Sequence, residues 1–147
     1  MTQGRSSTVS SRRAQPKRHY FDLERANRAL VYVGRIVDDI TACYREALAI
    51  RQAIEAPGSA AGIEARKRDY EHAMDRLNEL IDELHHVGVE LKDFEKGIVD
   101  FPARHEGRDI YLCWRRGEPA ITGWHEAGAG YPTRHDLETL TSPSAAY

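Results

Sequence analysis

Trp124-His125-Glu126 places an imidazole between an aromatic ring and a carboxylate, the densest chemical signal in the 147 residues. A neutral imidazole serves as a metal ligand or as a general base near pH 7. A metal site needs three or four convergent ligands. Asp100, Glu118, Glu126 and His135 offer oxygens and a nitrogen to join His125, although none stands at a diagnostic spacing. His125 and Glu126 are therefore the candidate metal ligands, and a divalent ion is the candidate cofactor. The competing reading makes His125 a scaffold residue, hydrogen-bonded at a sheet end and orienting the loop from Gly128 to Gly130. A wider candidate ligand site joins Asp100, Trp114, Trp124, His125 and Arg134. There the aromatic rings would wall a pocket and Arg134 would present a planar fork to a carboxylate or phosphate. Trp114 and Trp124 equally suit a core between sheet and helices.

Other residue pairs have plainer readings. Asp93 and Asp100 invite paired-carboxylate chemistry, but a helix-end cap for Asp93 and a bond from Asp100 to loop amides or Arg134 are the simpler roles. Asp82 and His86 lie one helical turn apart and could chelate, while histidines near a helix C-terminus also simply favour its dipole. Cys113, alternating within a strand pattern, reads as a small packed residue, since no histidine has a sequence-evident claim to activate it. Cys43 and Cys113 show no metal-type spacing, and nothing supports a disulfide between them. Gly123, Gly128 and Gly130 follow no strand-to-helix pattern, which excludes a phosphate-cradling loop. No reaction is specified, and the balance leans away from an enzyme.

The elements that must position these residues follow from periodicity. Asp22 is an N-cap with Phe21 as its staple. From there Leu23, Ala26, Leu30, Val33, Val37, Ile40, Tyr44, Ala47, Arg51 and Ile54 alternate three and four apart as a heptad seam. Ala56-Pro57-Gly58-Ser59 stops that helix. A second helix runs from about Ala61 to Val87, with Ile63, Tyr70, Met74, Leu77, Ile81 and Leu84 as its seam and Lys67 as the gap. The short connector makes the two antiparallel. Helices this long exceed what a small sheet would be expected to cover, so both the β part and a second copy of the chain are expected on the hairpin.

After Gly88, Val89-Glu90-Leu91 alternates like a short strand or an extended link. Beyond Gly97 the period becomes two, and Ile98 to Arg104, Asp109 to Trp114 and Ala120 to His125 read as three strands. Even-numbered loops would put Val99, Phe101 and Ala103 on one face with Ile110, Leu112, Trp114 and Ile121. In that register His125 shares the face of Leu112, and Asp100 points the other way with Tyr111 and Cys113. Pro102 requires its strand to be an edge. The expected fold is thus α+β: a long antiparallel, coiled-coil-like helical hairpin followed by a small three-strand antiparallel β meander.

Several segments together resemble a bacterial family of unknown function, number 2203: Tyr20-Phe21-Asp22-Leu23-Glu24, Gly88-Val89-Glu90-Leu91-Lys92-Asp93, Gly97-Ile98-Val99-Asp100-Phe101-Pro102, Leu112-Cys113-Trp114, Gly117-Glu118, Trp124-His125 and the stretch from Gly130 to Arg134. The resemblance covers roughly residues 19 to 136. It implies an architecture and assigns no chemistry.

Composition bounds the rest. Hydrophobic residues at 41% and charged ones at 30% fit one globular domain with much solvated helix. The longest apolar runs last only a few residues and cannot span a bilayer. With no secretory signal apparent, the cytoplasm is the expected compartment. The net charge of −2 hides an asymmetry: the first 20 residues hold five basic and no acidic side chains, leaving 16 basic against 23 acidic in the remainder. Residues 1–18 read as a disordered basic tail, 19–140 as the single domain and 141–147 as a flexible C-terminus. Two functional classes are expected: first, a non-enzymatic module that self-associates, as a homodimer, or binds a partner through the hairpin; second, a small-ligand or metal site around His125. A third, nucleic-acid contact, rests on the basic tail alone.

Overall fold

The computed structural model describes residues 19–58 and 60–141. The basic tail over 1–18 lies outside them, as does nearly all of the expected flexible end over 141–147.

Asp22 caps the first helix, α1 (Leu23–Glu55), by accepting a hydrogen bond from Arg25 N at 2.8 Å. The helix stops at Ala56, where Pro57 cannot continue the ladder. The second helix, α2 (Ile63–Val87), ends on Gly88, whose left-handed backbone (φ 94°) lets its N–H close on carbonyls of the last turn. The helices pack together, burying Cys43, Ala73, Leu77, Leu80 and Leu84. Along α1 the buried face is broader than the expected seam. Ile36 and Cys43 join Ala26, Val33, Val37, Ile40 and Ala47, because α1 must meet α2 on one side and a sheet on the other.

That sheet is open, antiparallel and five-stranded, in the order β1-β2-β3-β4-β5. Its strands are β1 (Glu90–Asp93), β2 (Ile98–His105), β3 (Arg108–Arg115), β4 (Gly123–Glu126) and β5 (His135–Asp136). A one-turn 3₁₀ helix (Tyr131–Thr133) precedes β5, and a single helical turn, α3 (Glu138–Thr141), follows it. The expected three strands are therefore five. The segment at Glu90 joins the ladder as a true strand, and β5 is only two residues long, too short for alternation to reveal.

Val99, Phe101, Ala103, Ile110, Leu112, Trp114, Ile121 and Trp124 pack with the helix residues in one core. The sheet thus covers one side of the hairpin, as expected of the β part. Pro102 is not on an edge strand, since β2 pairs with β1 as well as β3. Its missing N–H is harmless for a local reason. Strand β1 reaches only as far as Asp100, and past its end Phe21 N donates to Pro102 O at 2.7 Å. The side of Pro102 that lacks a donor faces that short segment and loses no sheet bond.

Candidate metal centre

Asp100, Cys113 and His125 come from β2, β3 and β4 and share the sheet face turned away from the helices. The two-residue loop Glu106-Gly107, both with positive φ (53° and 79°), makes the tight turn that suits the twist of a hairpin. It sets Asp100 opposite Cys113. Because the Pro102 carbonyl turns toward Phe21 and away from β3, Asp100, two residues earlier, also turns its backbone away from β3. Asp100 and Cys113 then form the closer, non-hydrogen-bonded kind of cross-strand pair, whose side chains approach most nearly.

His125 arrives on the same face through the next register, in which Tyr111 pairs with His125 and Leu112 with Trp124. This overturns the even-loop expectation that His125 faces the same way as Leu112. The connection from Arg115 to Gly123 has an odd number of residues, so the parity of β4 is reversed. Ile121 reaches the core from this irregular segment before the strand begins, and Trp124 reaches it from within the strand.

All three side chains are sealed: Asp100 is 1% exposed, Cys113 0% and His125 2%. One ligand atom from each lies within 4.8 Å of the others. His125 Nδ1 is 2.9 Å from the Glu126 carbonyl. A carbonyl only accepts, so Nδ1 carries the proton and, in the neutral ring, Nε2 holds the lone pair. Nε2 faces Asp100 Oδ2 at 3.0 Å. Burial pushes the Asp100 carboxyl above its ordinary value, against the pull of His125. Burial likewise pushes the Cys113 thiol up to about 12, with the Asp100 charge adding to the rise and Arg134 opposing it. Without a cation the cluster therefore favours its protonated forms. Asp100 Oδ1 remains buried with no hydrogen-bond partner, an uncommon and costly state for a carboxyl oxygen.

The arrangement suits cation binding better than nucleophilic catalysis. Both ring nitrogens of His125 are engaged by oxygens, and a thiol raised to about 12 supplies almost no thiolate near pH 7. A divalent ion would instead meet an imidazole lone pair, an orphaned carboxyl oxygen and a sulfur on one face. These donors fit such a group.

Arg134 borders the cluster. Gly123, opposite Cys113, leaves it room: a Cβ there would lie 2.7 Å from Arg134 Cδ. Arg134 Nη2 donates to Glu118 Oε2 at 3.1 Å, and the Tyr131 hydroxyl donates to the same oxygen at 2.9 Å. Burial works against the Glu118 charge, but hydrogen bonds from Arg115 N–H, Arg134 and Tyr131 outweigh it and hold the carboxyl below its ordinary value. The guanidinium also stacks on Tyr131, 4.2 Å from the ring centre. Its Nη1 is buried without a partner.

A family model described as an uncharacterized conserved protein, DUF2203, matches residues 19–137. The chain belongs to this family. The DUF2203 match spans Asp100, Cys113, His125 and Arg134, and its description names no activity. No curated protein and no solved structure matches the chain.

Of the residues singled out from sequence in this DUF2203 member, Asp100 and His125 meet directly, and Arg134 stands beside Cys113. Glu126 turns its carboxylate to Arg108 at 3.1 Å and offers the site only its carbonyl. Trp114 and Trp124 lie on the helix side of the sheet, donating to Glu118 O at 2.9 Å and to Thr139 Oγ1 at 2.7 Å. His135 is exposed against Trp124, with ring centres 4.8 Å apart. Asp93 caps the β1–β2 turn by accepting from Lys96 N at 2.7 Å, rather than capping a helix that has already ended. His86 bonds to the Asp82 carbonyl at 2.9 Å, a local helix contact. Cys113 is the member that residue-by-residue reading missed. Its signal was available, because a two-residue turn at Glu106-Gly107 by itself pairs Cys113 with Asp100.

Proposed function

We propose that the protein binds a divalent metal ion through Asp100, Cys113 and His125. The observation that carries this reading is their burial together, with one ligand atom from each within 4.8 Å of the others. A thiolate, an imidazole and a carboxylate are the donor set of zinc sites, and the sulfur disfavours magnesium and calcium. Three protein ligands leave a fourth position open, as in sites that act on a bound molecule. When bound, the metal would supply Lewis-acid chemistry at that position. The chain's own residues hold and orient it. Glu126 O fixes the His125 tautomer, and the three side chains are buried in the sheet face. Self-association through the hairpin is the weaker reading, because the sheet already occupies the broad apolar face of α1. Among the described residues no helix is long and apolar enough to cross a membrane.

Elemental analysis of protein purified without added metal, and again after zinc loading and desalting, tests the reading. One ion per chain is expected in the wild type. His125→Asn should retain the fold and lose the ion, because an amide can replace a hydrogen bond but is a poor metal ligand. Equal and negligible metal in both proteins after loading would leave His125 a scaffold residue.

A further inference from the structure

A cleft of about 540 Å³ opens on the outer sheet face next to the cluster, and Asp100 forms part of its wall. Lys92, Lys96 and Arg115 line it together with Tyr131 from the 3₁₀ turn. Lys92 is drawn to Glu90 at 3.2 Å, and Asp93, also in the wall, is engaged in capping its own turn. Lys96 and Arg115 are exposed, and the ion pairs found among the described residues do not include them. The cleft therefore presents more positive than negative charge, in a chain whose formal net charge is −2. Asp100, nine-tenths buried and more, holds an unpartnered oxygen at this boundary. On the same sheet face, Arg134 keeps a second unpartnered buried atom, Nη1.

Charge balance indicates what would enter. A divalent ion held by a carboxylate, a thiolate and a neutral imidazole is formally neutral, so the ion itself exerts little net pull on an anion. Lys96 and Arg115 at the cleft supply that pull, while Arg134 is committed to Glu118. Such an arrangement suits a ligand that offers an oxygen to the metal and carries further negative charge for the cations.

We propose that the cleft admits a small oxyanion, a carboxylate or a phosphate group, with one oxygen completing the metal's coordination and Lys96 and Arg115 offsetting its charge. This rests on the metal reading above. The test uses the full chain loaded with Co²⁺, whose visible spectrum reports its ligands, titrated separately with inorganic phosphate and with acetate. A saturable spectral change is expected with at least one of them. A response to phosphate alone identifies a phosphoryl site, a response to acetate alone a carboxylate site, and a response to both an unselective oxyanion site. The double variant Lys96→Gln/Arg115→Gln should hold the same amount of Co²⁺ with the same starting spectrum, and bind the responding anion at least tenfold more weakly. An unchanged spectrum with both anions, or equal affinity in the double variant, overturns the oxyanion proposal and leaves the metal reading standing. A wild-type chain that takes up no Co²⁺ overturns both.

Discussion

Cys113 lies where sulfur ionises with difficulty, on a strand between a buried carboxyl and the flank of a guanidinium. Burial raises its thiol from 9.0 to about 12, so in metal-free protein the folded chain keeps a proton that the unfolded chain releases. Its contribution to stability is complete below pH 9 and is lost as the pH climbs from 9 toward 12, at roughly 1.4 kcal/mol per pH unit. Chemical denaturation of the metal-free wild type and of Cys113→Ala across that range should show the wild type losing stability more steeply. Parallel curves would mean that the thiol ionises as freely in the fold as outside it. Asp100, also raised by burial, behaves in the same sense at lower pH: its contribution is present in acid and lost as the pH rises through its folded value. A bound cation reverses this preference for both residues, since it requires the ionised carboxylate and thiolate. At this scale the sequence reading singled out His125 and Asp100 and passed over Cys113, because a lone buried cysteine looks like packing until its cross-strand partner is known.

The helical hairpin was legible because its apolar spacing, its Asp22 cap and its Gly88 stop all agree. Leu77, 3% exposed, sits where α2 meets the common core. Leu77→Ala should cost about 2–5 kcal/mol through lost burial and a residual cavity. A urea midpoint close to that of the wild type would show that α2 is not packed as described. The turn between Arg104 and Asp109 was legible, and its tight Glu106-Gly107 tip fixes the pairing of Asp100 with Cys113. The longer connection from β3 to β4 was legible only in part. Its turn over Arg115 to Pro119 was readable but the parity of the whole connection was not, and Ile121 imitates the first inward residue of a strand that begins two residues later. That single error of parity placed His125 on the core side. Strand β5 escaped for another reason: His135 and Asp136 are held by pairing with Trp124 and Gly123, a tertiary contact with no local pattern.

For the whole molecule, a buried cluster of a carboxyl, a thiol and an imidazole is a local destabilisation unless a cation offsets it, so metal and fold should be thermodynamically linked. Free zinc at about a thousand times its dissociation constant would stabilise the folded chain by about 4 kcal/mol. Scanning calorimetry should show a melting temperature that rises with zinc and falls on chelation, whereas His125→Asn should melt at one temperature in both conditions. The sheet's two faces divide the labour: the inner face supplies the core with α1 and α2, which leaves the outer face free to hold polar groups rigidly. X-ray absorption spectroscopy of the zinc-loaded protein tests the proposed ligand set most directly. One sulfur scatterer at about 2.3 Å with nitrogen and oxygen scatterers at about 2.0–2.2 Å is the predicted first shell. A shell of oxygen and nitrogen without sulfur would contradict it, because Cys113 would then hold no metal.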